Sequence, residues 1–346
     1  MAPVNKAAII PQPRARPMRV DTVEYPTVQD KEIVVRVSAV AVNPVDWMIQ
    51  DLGENLFPWL QYPLVTGCDV AGTVEHVGAG VTAGFKKGDR VLGLAAGLDS
   101  REGAFQDYVP IAANLAARIP DSLPFTDAAV LPLGLATAAS QLYGPGALEL
   151  ALPAAGIAPN SRGETVVVWA GSSSVGSNAV QLAVASGYEV FTTASPRNFD
   201  FCKSLGASQV FDYASPNAAA DIATALHGKR LAGVAAIYES SIAPIYEMLT
   251  TAGVAGSKRV AAAMPLGDKP VPEGVTVKAV FGGTIKDNHV AAAVFNEFLP
   301  KALAEGSYLT RPSPLVVGNG LETLQDALNK CKNDKISAQK LVVTLE

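Results

Sequence analysis

Apolar and polar positions follow two different rhythms along this chain. Over residues 33–42 they alternate as in a half-buried β-strand, and residues 70–77 and 90–94 supply further strand-like runs. Gly67, Gly72, Gly78, Gly80, Gly84, Gly88 and Gly93 punctuate this stretch, as the tight turns of a small β-barrel require. The pattern then predicts a helix over 126–143, with Thr126 as its N-cap and an interruption near Pro132. Residues 144–163, rich in Gly, Pro and Ala, read as a surface loop.

From residue 165 the rhythm becomes strand–helix alternation. Residues 165–170 form a nearly continuous apolar run, expected of a strand buried on both faces. Residues 177–186 are helical in pattern, with Gly187 placed to end the helix in a left-handed cap. Further strands are expected at 189–193, 209–211, 234–238, 259–263 and 275–281, the grammar of a doubly wound parallel sheet. After Phe281 the alternation stops. Residues 288–305 and 321–332 read as helices, and a last strand over 340–345 is expected to return to the first domain. The expected division is therefore 1–129 with 290–346, and 130–289.

Composition supports two cores rather than one. The chain has 346 residues, 49% of them hydrophobic and 17% charged, and a formal net charge of −5. That balance gives no electrostatic reason to expect nucleic acid or an anionic membrane as partner. The apolar stretches are too short or interrupted for a membrane span, and the N-terminus lacks the apolar core of a secretory signal. Cys68, Cys202 and Cys331 are far apart and odd in number, which suits a reducing compartment; a cytoplasmic protein is expected.

The chemistry concentrates in Gly171-Ser172-Ser173-Ser174-Val175-Gly176, which joins the run 165–170 to its helix. Backbone N–H groups at a helix start bind phosphate oxygens, and the helix dipole favours the anion. Gly171 is read as permitting the tight turn and Gly176 as allowing close helix–strand packing, while Ser173 takes the place of the middle glycine of the G-x-G-x-x-G pattern. About 20 residues on, where an NAD site carries Asp or Glu, the chain has Ala194-Ser195-Pro196-Arg197 and no acid. A hydroxyl and a guanidinium suit a 2′-phosphate, with Tyr213 as a further donor, so NADPH is the expected cofactor. His76, His227 and His289 show no ligand spacing and no cysteines pair closely, so no metal site is expected.

Several segments resemble the medium-chain dehydrogenase/reductase superfamily in order and spacing: Ala41-Val42-Asn43-Pro44-Val45-Asp46-Trp47, Gly67-Cys68-Asp69-Val70-Ala71-Gly72, Gly88-Asp89-Arg90-Val91 and Gly103-Ala104-Phe105-Gln106-Asp107-Tyr108. The resemblance spans essentially the whole chain. It implies a GroES-like β-rich barrel domain beside a Rossmann domain. In zinc members of the superfamily a Cys stands at the position of Asn43 and a His at that of Cys68, so the resemblance too implies a zinc-free protein. The closest likeness is to fungal oxidoreductases, including trans-acting enoyl reductases that serve polyketide synthases. On that likeness Ser173, Ser174 and Val175 would contact the cofactor phosphates, Ser195, Arg197 and Tyr213 the 2′-phosphate, and Thr137 would lie near the nicotinamide. Met48 departs from that group, which commonly carries Lys there.

The expected activity is hydride transfer from NADPH to an α,β-unsaturated carbonyl compound or enoyl thioester, with Asn43, Asp46 and Met48 assigned to the catalytic site. Quinone reduction and a non-redox cyclase or binding role on the same fold are the alternatives. The expected partner is a small molecule, free or as a carrier-protein-bound polyketide, and the chain is expected as monomer or homodimer.

Overall fold

β-Branched runs set the strands of the first part of the chain, and short apolar runs those of the second. In a computed structural model, which describes residues 3–345 apart from 56, 96–99, 157–159 and 265–268, the strands are as follows. The first group is β1 (Asn5–Ile10), β2 (Arg19–Val23), β3 (Glu32–Ala41), β4 (Leu64–Val65), β5 (Asp69–Val77), β6 (Arg90–Leu94), β7 (Tyr108–Ala112) and β8 (Ala116–Arg118). The second is β9 (Glu164–Trp169), β10 (Glu189–Ala194), β11 (Gln209–Asp212), β12 (Arg230–Ala236), β13 (Ala255–Gly256), β14 (Arg259–Ala262) and β15 (Thr276–Ala279). β16 (Ser313–Asn319) and β17 (Gln339–Thr344) close the chain. The helices used below are α1 (Pro44–Leu52), α2 (Phe125–Ala128), α3 (Pro132–Tyr143) and α4 (Ser174–Ala185).

The chain forms two units, Met1–Leu133 with Thr310–Glu346, and Gly134–Leu309. The first holds a three-stranded sheet ordered β2-β1-β4 and a seven-stranded sheet ordered β16-β17-β3-β5-β6-β8, with β7 also on β3. β3 is central: eight of its ten positions are fully or nearly buried apolar residues apart from Ser38, so it tolerates neighbours on both edges. β17 returns to pair antiparallel with β3, as the sequence predicted for the last strand. β16 was not anticipated, because Pro312, Pro314, Gly318 and Gly320 break up its apolar pattern.

In the second unit the order is β11-β10-β9-β12-β14-β15, every pair parallel. With the two-residue β13, which pairs with β12 off this path, set aside, the order within the unit is 3-2-1-4-5-6, the doubly wound arrangement in which order reverses beside β9. β9 is buried along its length because helices cover both faces of a parallel sheet. One face buries Val167, Phe191, Val234 and Val260 against Ile222, Ile245 and Leu249 of the helices Ala218–Ala225 and Ile242–Thr250. No described helix is long and apolar enough to cross a membrane.

Some expected boundaries move. The predicted helix 126–143 is the single turn α2 followed by α3, and its first residue is Phe125 after Pro124 rather than a Thr126 cap. The strand expected at 234–238 begins at Arg230 and ends at Ala236; Gly233, at φ 154, absorbs a register shift whose Cβ would press on Leu148. Residues 290–309, assigned by pattern to the first domain, belong to the second unit. There Phe295, Phe298 and Leu299 are buried, the Tyr308 hydroxyl donates to Asn178 Oδ1 at 2.7 Å, and the Leu309 N–H donates to Gln181 Oε1 at 2.7 Å. Hydrophobic period alone does not tell a helix which of two cores it joins. The loop 97–102 falls partly outside the described residues.

Candidate functional site

β9 ends at Trp169, and the chain must reverse into α4 within four residues. Ala170 makes the turn, at φ 81, a left-handed conformation that costs a residue with a Cβ. Its strain is offset by anchoring: the Ala170 N–H donates to Thr193 Oγ1 and the Gly171 N–H to Thr193 O, both at 2.9 Å, and Ser173 Oγ donates to Ala170 O at 2.8 Å. The reading of Gly171 as the turn residue is thus corrected. Gly171 is required by close approach, since a Cβ there would lie 2.1 Å from Thr192 Oγ1. Gly176 is required as expected, because its Cβ would meet Ala170 O at 2.0 Å. Ser173 is the N-cap of α4, its Oγ accepting from the Gly176 N–H at 3.0 Å.

Ser172, Ser173, Ser174 and Val175 are thus half-buried at the positive end of a 12-residue helix, at the carboxyl end of the strand where sheet order reverses. A helix N-terminus with small residues at this place fits a dinucleotide pyrophosphate. Beyond β10, Ser195 is half-buried and Arg197 exposed, and no carboxylate pairs with Arg197 among the described residues. Asn198 was missed by sequence reasoning. It is buried, and its Nδ2 donates to both Ser172 Oγ and Ser195 Oγ at 3.3 Å, tying the β9–α4 loop to the segment after β10. Tyr213 follows β11 with 55% of its surface exposed. Thr137, on α3, is buried against Gly282, whose Cβ would lie 2.8 Å from Thr137 Oγ1. Gly282 was likewise unmarked in the sequence.

A second constellation lies in the first unit. Asn43 caps the start of α1, and its backbone N–H donates to Asp46 Oδ2 at 2.7 Å. Its side chain turns inward, donating from Nδ2 to Asp69 Oδ2 at 2.8 Å and accepting at Oδ1 from Lys340 Nζ at 2.6 Å. Lys340 also lies 2.9 Å from Asp69 Oδ2. Asp69 Oδ1 accepts from the Leu133 N–H at 2.6 Å, where α3 begins. Asp46 is fully buried and its Oδ1 has no partner among the described residues. Burial first, and then the charge of Asp69, raises its carboxyl to about 7, against the lowering effects of the Asn43 N–H and Lys340. Burial, reinforced by Asp46 and Asp69, pushes the Cys68 thiol well up, so it stays protonated.

The structure therefore gathers Asn43 and Asp46, with Asp69 and Lys340, two residues to which the sequence reading gave no role. Met48 is half-buried on α1 and takes no part in this network. Tyr62 buries its hydroxyl against Gly53, with no hydrogen-bond partner among the described residues. Among the described residues no group of three or more His, Cys, Asp or Glu is arranged to hold a metal ion.

Comparison with known proteins agrees with this architecture. Residues 29–121 match the Alcohol dehydrogenase GroES-like domain family. The chain is 46% identical to the dehydrogenase azaJ of Aspergillus niger over 353 residues, covering 99% of each chain. It is 39% identical to the trans-enoyl reductase himH of Aspergillus japonicus, covering 99% of this chain and 98% of that one. Among solved structures, an alcohol dehydrogenase superfamily protein from Novosphingobium aromaticivorans shares the fold with a TM-score of 0.78 at 24% identity, covering 99% of this chain and 100% of that one. A GroES-like unit, a 3-2-1-4-5-6 parallel sheet and near full-length relatives at this identity place the chain in the medium-chain dehydrogenase/reductase superfamily.

Proposed function

We propose that this oxidoreductase carries hydride from NADPH to the β-carbon of an α,β-unsaturated carbonyl compound, of the enoyl-thioester class, without a metal ion. The observation that carries the reading is the pairing of the α4 phosphate loop with the acid-free Ser195–Arg197 segment through Asn198. A carboxylate at that place would accept the ribose hydroxyls and repel a 2′-phosphate; a guanidinium attracts it. The relative named a trans-enoyl reductase supports the substrate class.

When bound, the nicotinamide supplies the hydride, and the chain supplies position and electrostatics. Ser172, Ser173, Ser174 and Val175 hold the pyrophosphate against the start of α4, while Ser195, Arg197 and Tyr213 face the 2′-phosphate. Thr137 contributes at the nicotinamide end. In the first unit the Asn43 side chain is fixed by Asp69 and Lys340, and Asp46 is held by the Asn43 N–H. The residues at the zinc-ligand positions of related dehydrogenases do not fit zinc. Asn43 and Cys68 offer an amide already engaged by an ammonium and a thiol held protonated by burial. The oxyanion that develops on the substrate must then be held by hydrogen-bond donors rather than a Lewis acid.

The test is steady-state kinetics with NADPH and NADH against a cyclic enone, a quinone and a crotonyl thioester, free and carrier-bound. The expected result is saturation of the alkene with NADPH preferred over NADH by at least about tenfold, the effect of one charge-assisted contact. Quinone turnover without alkene saturation would reassign the substrate, and substrate conversion without NADPH consumption would remove the redox reading.

A further inference from the structure

Lys340 is the second residue of β17, where it and the next three residues are all buried. Its side chain is 5% exposed and that of Asp69 is 0% exposed. An ammonium buried this far keeps its charge only beside anionic or strongly accepting partners, and here it has both: Asp69 Oδ2 at 2.9 Å and Asn43 Oδ1 at 2.6 Å. The other titratable groups of the cluster are Asp46 on α1, Cys68 ahead of β5 and Cys331 on the helix Leu324–Asn333. All but Lys340 are acids.

We propose that the Lys340 ammonium is the built-in cation of this site: it occupies the electrostatic seat that a divalent ion would need, balances the buried carboxylate of Asp69, and thereby positions Asn43 and the start of α3. Four segments converge on it. β17 supplies Lys340, β5 supplies Asp69, Asn43 begins α1, and the Leu133 N–H at the head of α3 closes on the free oxygen of Asp69. A second cation placed among the same oxygens would meet the ammonium at contact distance, and Asn43 Oδ1 is already donated to. Lys340 acts through Asn43 and Asp69 and is a positioning residue. The inference goes beyond the reductase reading, because the charge arrangement holds whichever substrate is reduced.

The experiment uses the full chain as wild type, Lys340→Met and the double variant Lys340→Met/Asp69→Asn, each followed by thermal unfolding from about pH 5 to about pH 8. Without the ammonium, the Asp69 carboxylate is buried without its counter-ion, a cost that grows as pH rises and the charge must be carried. The Lys340→Met melting temperature is expected to fall about 10 °C below wild type at the alkaline end, and less at the acid end. Removing the carboxylate as well is expected to restore a wild-type pH slope, which a packing role for the lysine stem would not do. An unchanged slope in Lys340→Met, or a double variant as pH-sensitive as the single, overturns the proposal. So does a wild-type chain that retains one equivalent of zinc after exposure to zinc and desalting, and loses it in Cys68→Ser; this arm stands even if a variant does not fold. Loss of NADPH-dependent turnover in wild type would bear on the reductase reading and leave these outcomes untouched.

Discussion

The β9–α4 loop of the second unit and the Lys340 cluster of the first are held in place by opposite means. The loop is defined by the backbone: Ala170 strained at φ 81, two glycines with no room for a Cβ, and a serine cap. Its side chains are small and mostly neutral. The cluster is defined by charge: the Lys340–Asp69 pair, with the Asp46 carboxyl beside it, withdrawn from water and held by hydrogen bonds. A backbone-defined site fails when atoms are added, whereas a charge-defined site fails when a partner is taken away.

That contrast sets the expected order of effects. Asp69→Ala, which leaves Lys340 buried without its counter-ion, is expected to cost about 3–5 kcal/mol of unfolding free energy, read by chemical denaturation. A cost below about 1 kcal/mol, the range of exposed pairs, would show that the cluster is solvated and the comparison false. Gly176→Ala, whose Cβ would lie 2.0 Å from Ala170 O, is expected to weaken NADPH binding at least about a hundredfold through displacement of the loop, with a stability loss of about 2–3 kcal/mol. Fluorescence titration and thermal unfolding of the same sample separate the two effects.

Asp46 sharpens the comparison through pH. Its carboxyl is raised to about 7 in the folded chain from an ordinary value of 3.8. Between those values the folded state keeps a proton that the unfolded state has lost, so stability falls as pH rises through this window and levels off above it. The contribution is expected to be about 4 kcal/mol, and Asp46→Asn should flatten the slope. A slope of the opposite sign would place the ionised form in the fold. Arg197→Ala is expected to have a smaller effect, about 1–2 kcal/mol in NADPH affinity, with NADH affinity unchanged. Equal loss for both nucleotides would remove the 2′-phosphate from its role.

The same contrast explains what the sequence made legible. Backbone-defined features are local: Gly171 to Gly176, the apolar run of β9 and the acid-free end of β10 are contiguous, and their pattern pointed to the fold and the nucleotide loop. Even there, the strain at Ala170 and the bridge made by Asn198 were hidden, because an alanine and an asparagine carry no pattern of their own. Charge-defined features are distant in sequence. Asn43 meets Asp69 across 26 positions and Lys340 across 297, and only the pairing of β17 with β3 brings Lys340 into the core. In the sequence Lys340 reads as one more lysine near a terminus. Asp46 was picked out by its neighbours in the Asn43–Trp47 run, but its burial and unpartnered oxygen belong to the fold alone.

The account stands on reduction by NADPH at a carbon–carbon double bond. Turnover of an enoyl thioester with NADPH carrying deuterium at the transferable position of the nicotinamide, followed by mass spectrometry and NMR of the product, tests this most directly. The prediction is a saturated thioester with one deuterium on the β-carbon, formed in step with NADPH oxidation. A chain that binds NADPH tightly yet leaves the alkene intact, or a saturated product with no deuterium at that carbon, would contradict it.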